Sequence, residues 1–198
     1  MKPIYLDYNA TTPIDPRVSK IICDSLNGDD FGNPSSTHAY GKAAKTIVET
    51  ARQKLAKAIN AEPEEIIFTG GGTEASNQAI LATMMSDLTG FLKRLFAKKG
   101  HMILSAIEHP ATYKPAAYLA SMGFEITTVG VDRQGLVDPD EIKKAIRKNT
   151  KLISIMHSNN EVGTLQPIEK IAEIARSKNI LFHSDAAQST GKVSLNVK

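Results

Sequence analysis

The spacing of apolar residues changes character along the chain and divides it into two stretches. In the first, Ala39, Ala43, Ile47, Ala51, Leu55 and Ile59 recur at helical steps, the period of one helix face. The loop Phe31–Thr37 ends in residues that cap this helix, and residues 16–27 predict a shorter one. Ahead of both, Ile4–Tyr8 predicts a short extended piece that runs into a turn at Asn9–Pro13. From residue 65 onward, short apolar or β-branched runs alternate with helical stretches. The pattern predicts strands over 65–69, 102–106, 125–131, 152–156 and 180–183. Helices are predicted near 73–86, 110–122, 138–148 and 167–178, with Pro139 and Pro167 in first-turn positions, where proline is tolerated.

Several of these runs are continuously apolar rather than alternating, as strands covered on both faces are. Strand and helix in alternation mean an α/β fold, a three-layer sandwich around a mainly parallel sheet. The expected organisation is an N-terminal arm with helices over 1–64 and an α/β domain over 65–198. In such sheets ligands bind beyond the carboxyl ends of the strands, so the strand ends are where chemistry is to be sought.

Composition removes several alternatives. The chain has 198 residues, 41% of them hydrophobic and 23% charged, the balance of an ordinary globular protein with one sizeable core. No apolar run reaches membrane-spanning length, and the start Met1-Lys2-Pro3-Ile4-Tyr5 lacks the apolar core of a signal peptide. A cytoplasmic location without membrane association is therefore expected. The net charge of +3 is spread among interspersed acids and bases, which gives no ground for a nucleic-acid partner. The single cysteine, Cys23, excludes an internal disulfide and a multi-cysteine metal site, and no metal is expected. Its neighbours Ile21, Ile22 and Leu26 predict a small buried side chain rather than a reactive one.

Four predicted strand ends carry polar residues. The first is Phe68-Thr69-Gly70-Gly71-Gly72-Thr73-Glu74, a glycine-rich strand-to-helix turn. Glycine admits an anion close to the backbone N–H groups, and the helix N-terminus adds its positive dipole end. The others are Glu108-His109-Pro110, Ser158-Asn159-Asn160-Glu161-Val162-Gly163 and Ser184-Asp185-Ala186-Ala187-Gln188-Ser189. Singly, each also fits a plain loop, turn or cap. Together they are convergent polar groups at one edge of an apolar sheet, which is what a binding site needs.

These motifs, with Leu6-Asp7-Tyr8-Asn9-Ala10-Thr11-Thr12-Pro13 and Gly32-Asn33-Pro34-Ser35-Ser36, resemble the cysteine desulfurases. That family is a branch of the pyridoxal-phosphate enzymes of aminotransferase class V, and the resemblance runs along essentially the whole chain. It implies the large domain of a fold type I pyridoxal-phosphate enzyme, incomplete here, and pyridoxal 5'-phosphate as cofactor. By the resemblance, Gly72 and Thr73 contact the phosphate, Asp185 pairs with the pyridinium nitrogen, and Asn160 and Gln188 donate near the phenolic oxygen. His109 is the catalytic residue of the set, stacking on the ring and moving protons. In an extended Asp185-Ala186-Ala187, Ala187 would face the same way as Asp185. Asn9 and Asn33 read as turn residues, with a place in the substrate pocket as the alternative.

The implied activity is conversion of L-cysteine to L-alanine with sulfur passed on as a persulfide. It serves iron–sulfur cluster or thio-cofactor assembly, with a sulfur-acceptor or scaffold protein and a homodimer as partners. A selenocysteine lyase or another class V enzyme is the alternative within the family. A non-catalytic module that binds a full-length relative is the alternative outside enzymes. The family's cofactor lysine sits in a Ser-x-His-Lys motif roughly two dozen residues beyond the aspartate, and that motif is absent here. The persulfide cysteine and substrate-carboxylate arginine belong to the family's later half. The chain is thus expected to represent a first half, with a sheet that lacks its last strands and exposes an edge and an apolar face. The stretch 84–96 lengthens the spacing between Thr73 and His109, and Leu88, Phe91, Leu92, Leu95 and Phe96 would form an apolar stripe if helical. That stripe is expected to pack on the domain body.

Overall fold

The computed structural model describes residues 3–29, 31–86 and 99–198. The apolar stripe expected over 88–96 lies outside the described residues. Two compact units emerge, Met1–Phe68 with Val193–Lys198 and Thr69–Lys192.

The second unit is the α/β body. It contains α3 (Gly72–Met85), β1 (His101–Ser105), α4 (Pro110–Ser121), β2 (Glu125–Val129), α5 (Pro139–Ala145), β3 (Thr150–Ser154), α6 (Ile168–Ser177) and β4 (Leu181–His183). Pro167 caps α6 rather than starting it. Among the described residues the strands form one four-stranded sheet in the order β2-β1-β3-β4, with every pairing parallel. Met102 stands beside Ile126 on one side and Leu152 on the other, and Ser154 beside His183.

The two-residue period of a strand sorts the core into two layers. Met102, Leu104 and Leu152 pack with Ile80 and Met84 of α3 and Ala116 and Leu119 of α4. Ile103 and Ile153 point the other way, against Ile142 of α5 and Ile171 and Ala175 of α6. That is the three-layer sandwich. The central strands are buried almost throughout, as their continuous apolar runs require. β2 and β4 are the edges of this sheet; β2 is half open, and Leu181 of β4 is exposed.

A histidine closes the amino-terminal end of the sheet. His101 is fully buried, and its Nδ1 and Nε2 lie 2.8 Å from the hydroxyls of Thr150 and Thr127. One imidazole thus bridges three adjacent strands. Burial holds its pKa below the usual value, so it stays neutral. His101→Ala is expected to cost about 2–4 kcal/mol, from the cavity and the unpaired hydroxyls, read by denaturant unfolding.

The first unit holds α1 (Pro16–Asn27) and α2 (Ala39–Ile59). Asp15 caps α1 by accepting the Arg17 N–H at 2.8 Å. The His38 ring nitrogen accepts from the Gly41 N–H at 3.3 Å and caps α2. Gly32 and Gly41 allow the Asn33–Ser36 turn to lie against the start of α2, since a Cβ on either would run into backbone carbonyl oxygens. Residues 193–198 join this unit: the Val197 N–H donates to the Ile59 carbonyl at 3.1 Å, and Lys198 pairs with Glu62 at 2.8 Å.

Two expectations fail here. Residues 65–69 form no strand. Pro63–Glu65 is a 3-10 turn, and Ile66 takes extended angles without a ladder partner among the described residues. Apolar spacing reports a conformation, whereas a strand also needs a neighbour. Cys23 is exposed, not buried. α1 buries no residue, and Val18, Ile21, Ile22 and Leu26 are all exposed. Periodicity identifies which residues share a face but not whether anything covers it.

Candidate active site

Gly72, Thr73, His109, Asn160, Asp185 and Gln188 lie in the Thr69–Lys192 unit, at the exits of β1, β3 and β4 and the start of α3. In the cradle, the Gly70 N–H donates to Glu74 Oε2 at 2.6 Å, and the Thr69 hydroxyl donates to the Gly71 carbonyl at 3.1 Å. Gly71 is the N-cap of α3, and no side chain caps it. The first N–H groups of the helix therefore face an open hollow lined by Gly70 to Glu74 and Asn77. A Cβ at Gly71 or Gly72 would meet nothing within 4 Å. Packing within the chain does not require glycine there, but an anion approaching the backbone would.

Asn77 ties the cradle helix to the next strand exit. Its amide donates to the Thr73 carbonyl at 2.8 Å and to the Ala111 carbonyl at 3.4 Å. Ala111 belongs to α4, whose N-cap is His109. The His109 Nδ1 accepts the Ala111 N–H at 3.1 Å. With Nδ1 accepting, the neutral ring carries its proton on Nε2. The His109 side chain is otherwise exposed.

The loop after β3 is organised by Asn159, which is buried. Its Oδ1 accepts the N–H groups of Glu161 at 2.8 Å and Val162 at 3.0 Å, and its Nδ2 donates to the Ile107 carbonyl at 3.1 Å. Asn159 therefore shapes its own loop and binds it to the β1 exit, while Asn160 is the next residue along. The loop after β4 is joined in the same way, because the His157 N–H donates to the Asp185 carbonyl at 2.9 Å. Asp185 Oδ1 accepts the Ala187 N–H at 3.0 Å, so Asp185–Ala187 is a tight side-chain turn. The expected extended segment, with Ala187 facing as Asp185 does, is not present. Gln188 follows in that turn and accepts from Lys192 Nζ at 3.4 Å. Asn33 accepts the Ser35 N–H at 2.9 Å, and Asn9 sits in the turn closed by the Ala10 N–H on the Asp7 carbonyl; both lie in the other unit.

Glu108 is a chemical group that the sequence reading passed over in favour of the histidine beside it. Its Oε1 accepts the Ser105 hydroxyl at 2.6 Å and the Met156 N–H at 2.9 Å. Its Oε2 is buried without a hydrogen-bond partner among the described residues. Burial pushes its pKa up to about 7, against the pull of those hydrogen bonds, and the charge of Asp185 adds to the rise. An acid placed directly after an apolar strand was the available signal.

A glycine-rich helix start, a carboxylate and a histidine lie on the carboxyl edge of a parallel sheet, where α/β folds bind their ligands. A solved structure described as SspA in complex with cysteine superposes on this fold with a TM-score of 0.88 at 39% identity, covering 98% of this chain and 53% of that one. Residues 4–198 match the family model for aminotransferase class V, and the chain belongs to that family. It is 48% identical over 196 residues to the cysteine desulfurase IscS of Dictyoglomus turgidum, covering 99% of this chain and 48% of that protein. The IscS of Azotobacter vinelandii is 44% identical over 199 residues, with 99% and 47% covered. The chain thus spans about half the length of these relatives.

Proposed function

We propose that this chain carries the first-half cofactor contacts of a cysteine desulfurase that binds pyridoxal 5'-phosphate. The observation that carries the reading is the gathering of the Gly70–Thr73 cradle, His109, Asn160 and Asp185–Gln188 at one sheet edge. The residues fit the group at both ends. Gly72 and Thr73 would hold the phosphate through N–H and hydroxyl, which accounts for glycines that internal packing does not require. Asp185 would pair with the ring nitrogen, Asn160 and Gln188 would donate toward the phenolic oxygen, and His109 would lie over the ring with its proton on Nε2. Bound there, the cofactor would supply an electron sink for a substrate carbon.

The reaction is L-cysteine plus a thiol giving L-alanine plus a persulfide, so the thiol gains the sulfur and the substrate keeps its carbon skeleton. The relatives named IscS and the neighbour solved with cysteine support that substrate. Within the same proposal, residues 65–198 are the cofactor-binding portion, the setting is cytoplasmic, and the assembly is a homodimer served by a sulfur-accepting or scaffold protein. The uncovered apolar residues of α1 support association.

The test is a cofactor titration followed by absorbance, together with L-cysteine-dependent sulfide release in the presence of a thiol reductant. The chain is expected to bind the cofactor. It should release sulfide no faster than free cofactor, because the family's Ser-x-His-Lys motif is missing. Failure to bind would overturn the reading, and release well above the blank would mean that these residues suffice without that lysine.

A further inference from the structure

We propose that Glu108 is a positioning residue that works as a neutral acid, tying the exits of β1 and β3 together. The distribution of donors points to the neutral form. Ser105 and Met156 both donate to Oε1, while the buried Oε2 has no partner among the described residues. An ionised carboxylate shares its charge between two equivalent oxygens, and burying one of them unpaired is costly. A protonated carboxyl has one carbonyl oxygen that accepts twice, here from Ser105 and Met156, and one hydroxyl. That hydroxyl has no acceptor among the described residues, but an unpaired neutral hydroxyl costs less to bury than an unpaired anionic oxygen, which favours the neutral form.

The two donors also say what the group does. Ser105 ends β1, and Met156 lies two residues past the end of β3, so Oε1 fixes the spacing of two adjacent strand exits. Those exits carry His109 and Asn160. Asp185 reaches the same place through the His157 N–H. The charge of Asp185 raises the pKa of Glu108, which adds to the effect of burial. The service of these exits to a cofactor rests on the reading above; the protonation of Glu108 does not.

The test reads thermal unfolding of the 198-residue chain against pH, without cofactor, for wild type, Glu108→Gln and Asp185→Asn. A carboxyl whose pKa is raised on folding stabilises fully below its unfolded pKa, and that stability is lost as pH rises through the folded value. The wild-type midpoint should therefore lose roughly 5–10 °C, relative to Glu108→Gln, between about pH 4.5 and 7. The charge facing Glu108 is that of Asp185, on the loop after β4. His157 and His183, at the exits of β3 and β4, are held neutral by burial and contribute a slope of opposite sign. The difference between wild type and Glu108→Gln cancels them. Asp185→Asn should move the wild-type loss to lower pH.

Cofactor titration gives the second readout, with Glu108→Gln within about threefold of wild type and Glu108→Ala weaker by about tenfold. An identical pH profile in Glu108→Gln, or a Gln variant that does not fold, overturns the proposal, because a neutral isostere must replace a neutral acid. If no variant binds cofactor but the profiles differ as stated, the cofactor reading fails and the neutral acid stands.

Discussion

Asp185→Ala is expected to weaken pyridoxal 5'-phosphate binding by roughly 10- to 100-fold. The carboxylate would make a charge-assisted hydrogen bond to the ring nitrogen, an interaction of about 1.5–3 kcal/mol, and each 1.36 kcal/mol is tenfold. The substitution leaves the fold largely intact. The side-chain oxygen loses only the Ala187 N–H, at a position where Ala187 is exposed and water can replace it. The backbone carbonyl of residue 185 still accepts from His157. The loss should therefore appear in the cofactor titration, and the unfolding midpoint should change only through the pH at which Glu108 ionises. Equal affinity for wild type and variant would remove Asp185 from the site.

Asn159→Ala should produce the opposite combination, a loss of stability of about 2–4 kcal/mol with a weakened site as its consequence. Asn159 is buried and satisfies three backbone groups, the N–H of Glu161, the N–H of Val162 and the carbonyl of Ile107. Truncation leaves them unpaired at about 1 kcal/mol or more each. Urea unfolding should show a reduced midpoint with little change in slope. Cofactor affinity should fall too, because the loop carrying Asn160 is then no longer tied to the exit that carries His109. Asn159→Asp is the informative companion. It keeps both acceptor interactions but loses the donor to Ile107, so it should recover part of the stability. If Asn159→Ala were as stable as wild type, Asn159 would not be what holds this loop to the β1 exit.

The sheet's central strands were legible because their runs are almost wholly apolar. Met102–Leu104 and Leu152–Ile155 face helices on both sides, and the one polar residue among them, Ser154, is paired with His183 at 2.8 Å. The helices from residue 72 onward were legible through their caps and prolines, with Asp138 and Pro139 as the clearest pair. Residues 65–69 misled because Ile66-Ile67-Phe68 looks the same whether or not a neighbouring strand exists. Cys23 misled for a related reason: an apolar helix face is a statement about one element, and burial is a statement about two. At the site, the glycines, His109 and Asp185 carried recognisable patterns. Glu108 did not, because its chemistry comes from where Ser105 and Met156 donate, and Met156 is 48 residues away in sequence. Asn159 was hidden by its neighbour, since in an Asn-Asn pair nothing local separates the residue that builds the loop from the one the loop presents.

The return of residues 193–198 to the N-terminal unit has a consequence for the order of events during synthesis. The α/β body is one continuous stretch, Thr69–Lys192, and β4 is complete once His183 has left the ribosome. The N-terminal unit emerges first, yet part of it is made after that stretch. Its Ile59–Val197 and Glu62–Lys198 contacts wait for residues 197 and 198 to appear. Domains made in order usually fold in order, the earlier ahead of the later. Here the middle of the message matures before its beginning. A chain stalled a few residues short of Val197 should therefore carry a protease-resistant body and a cleavable leading segment.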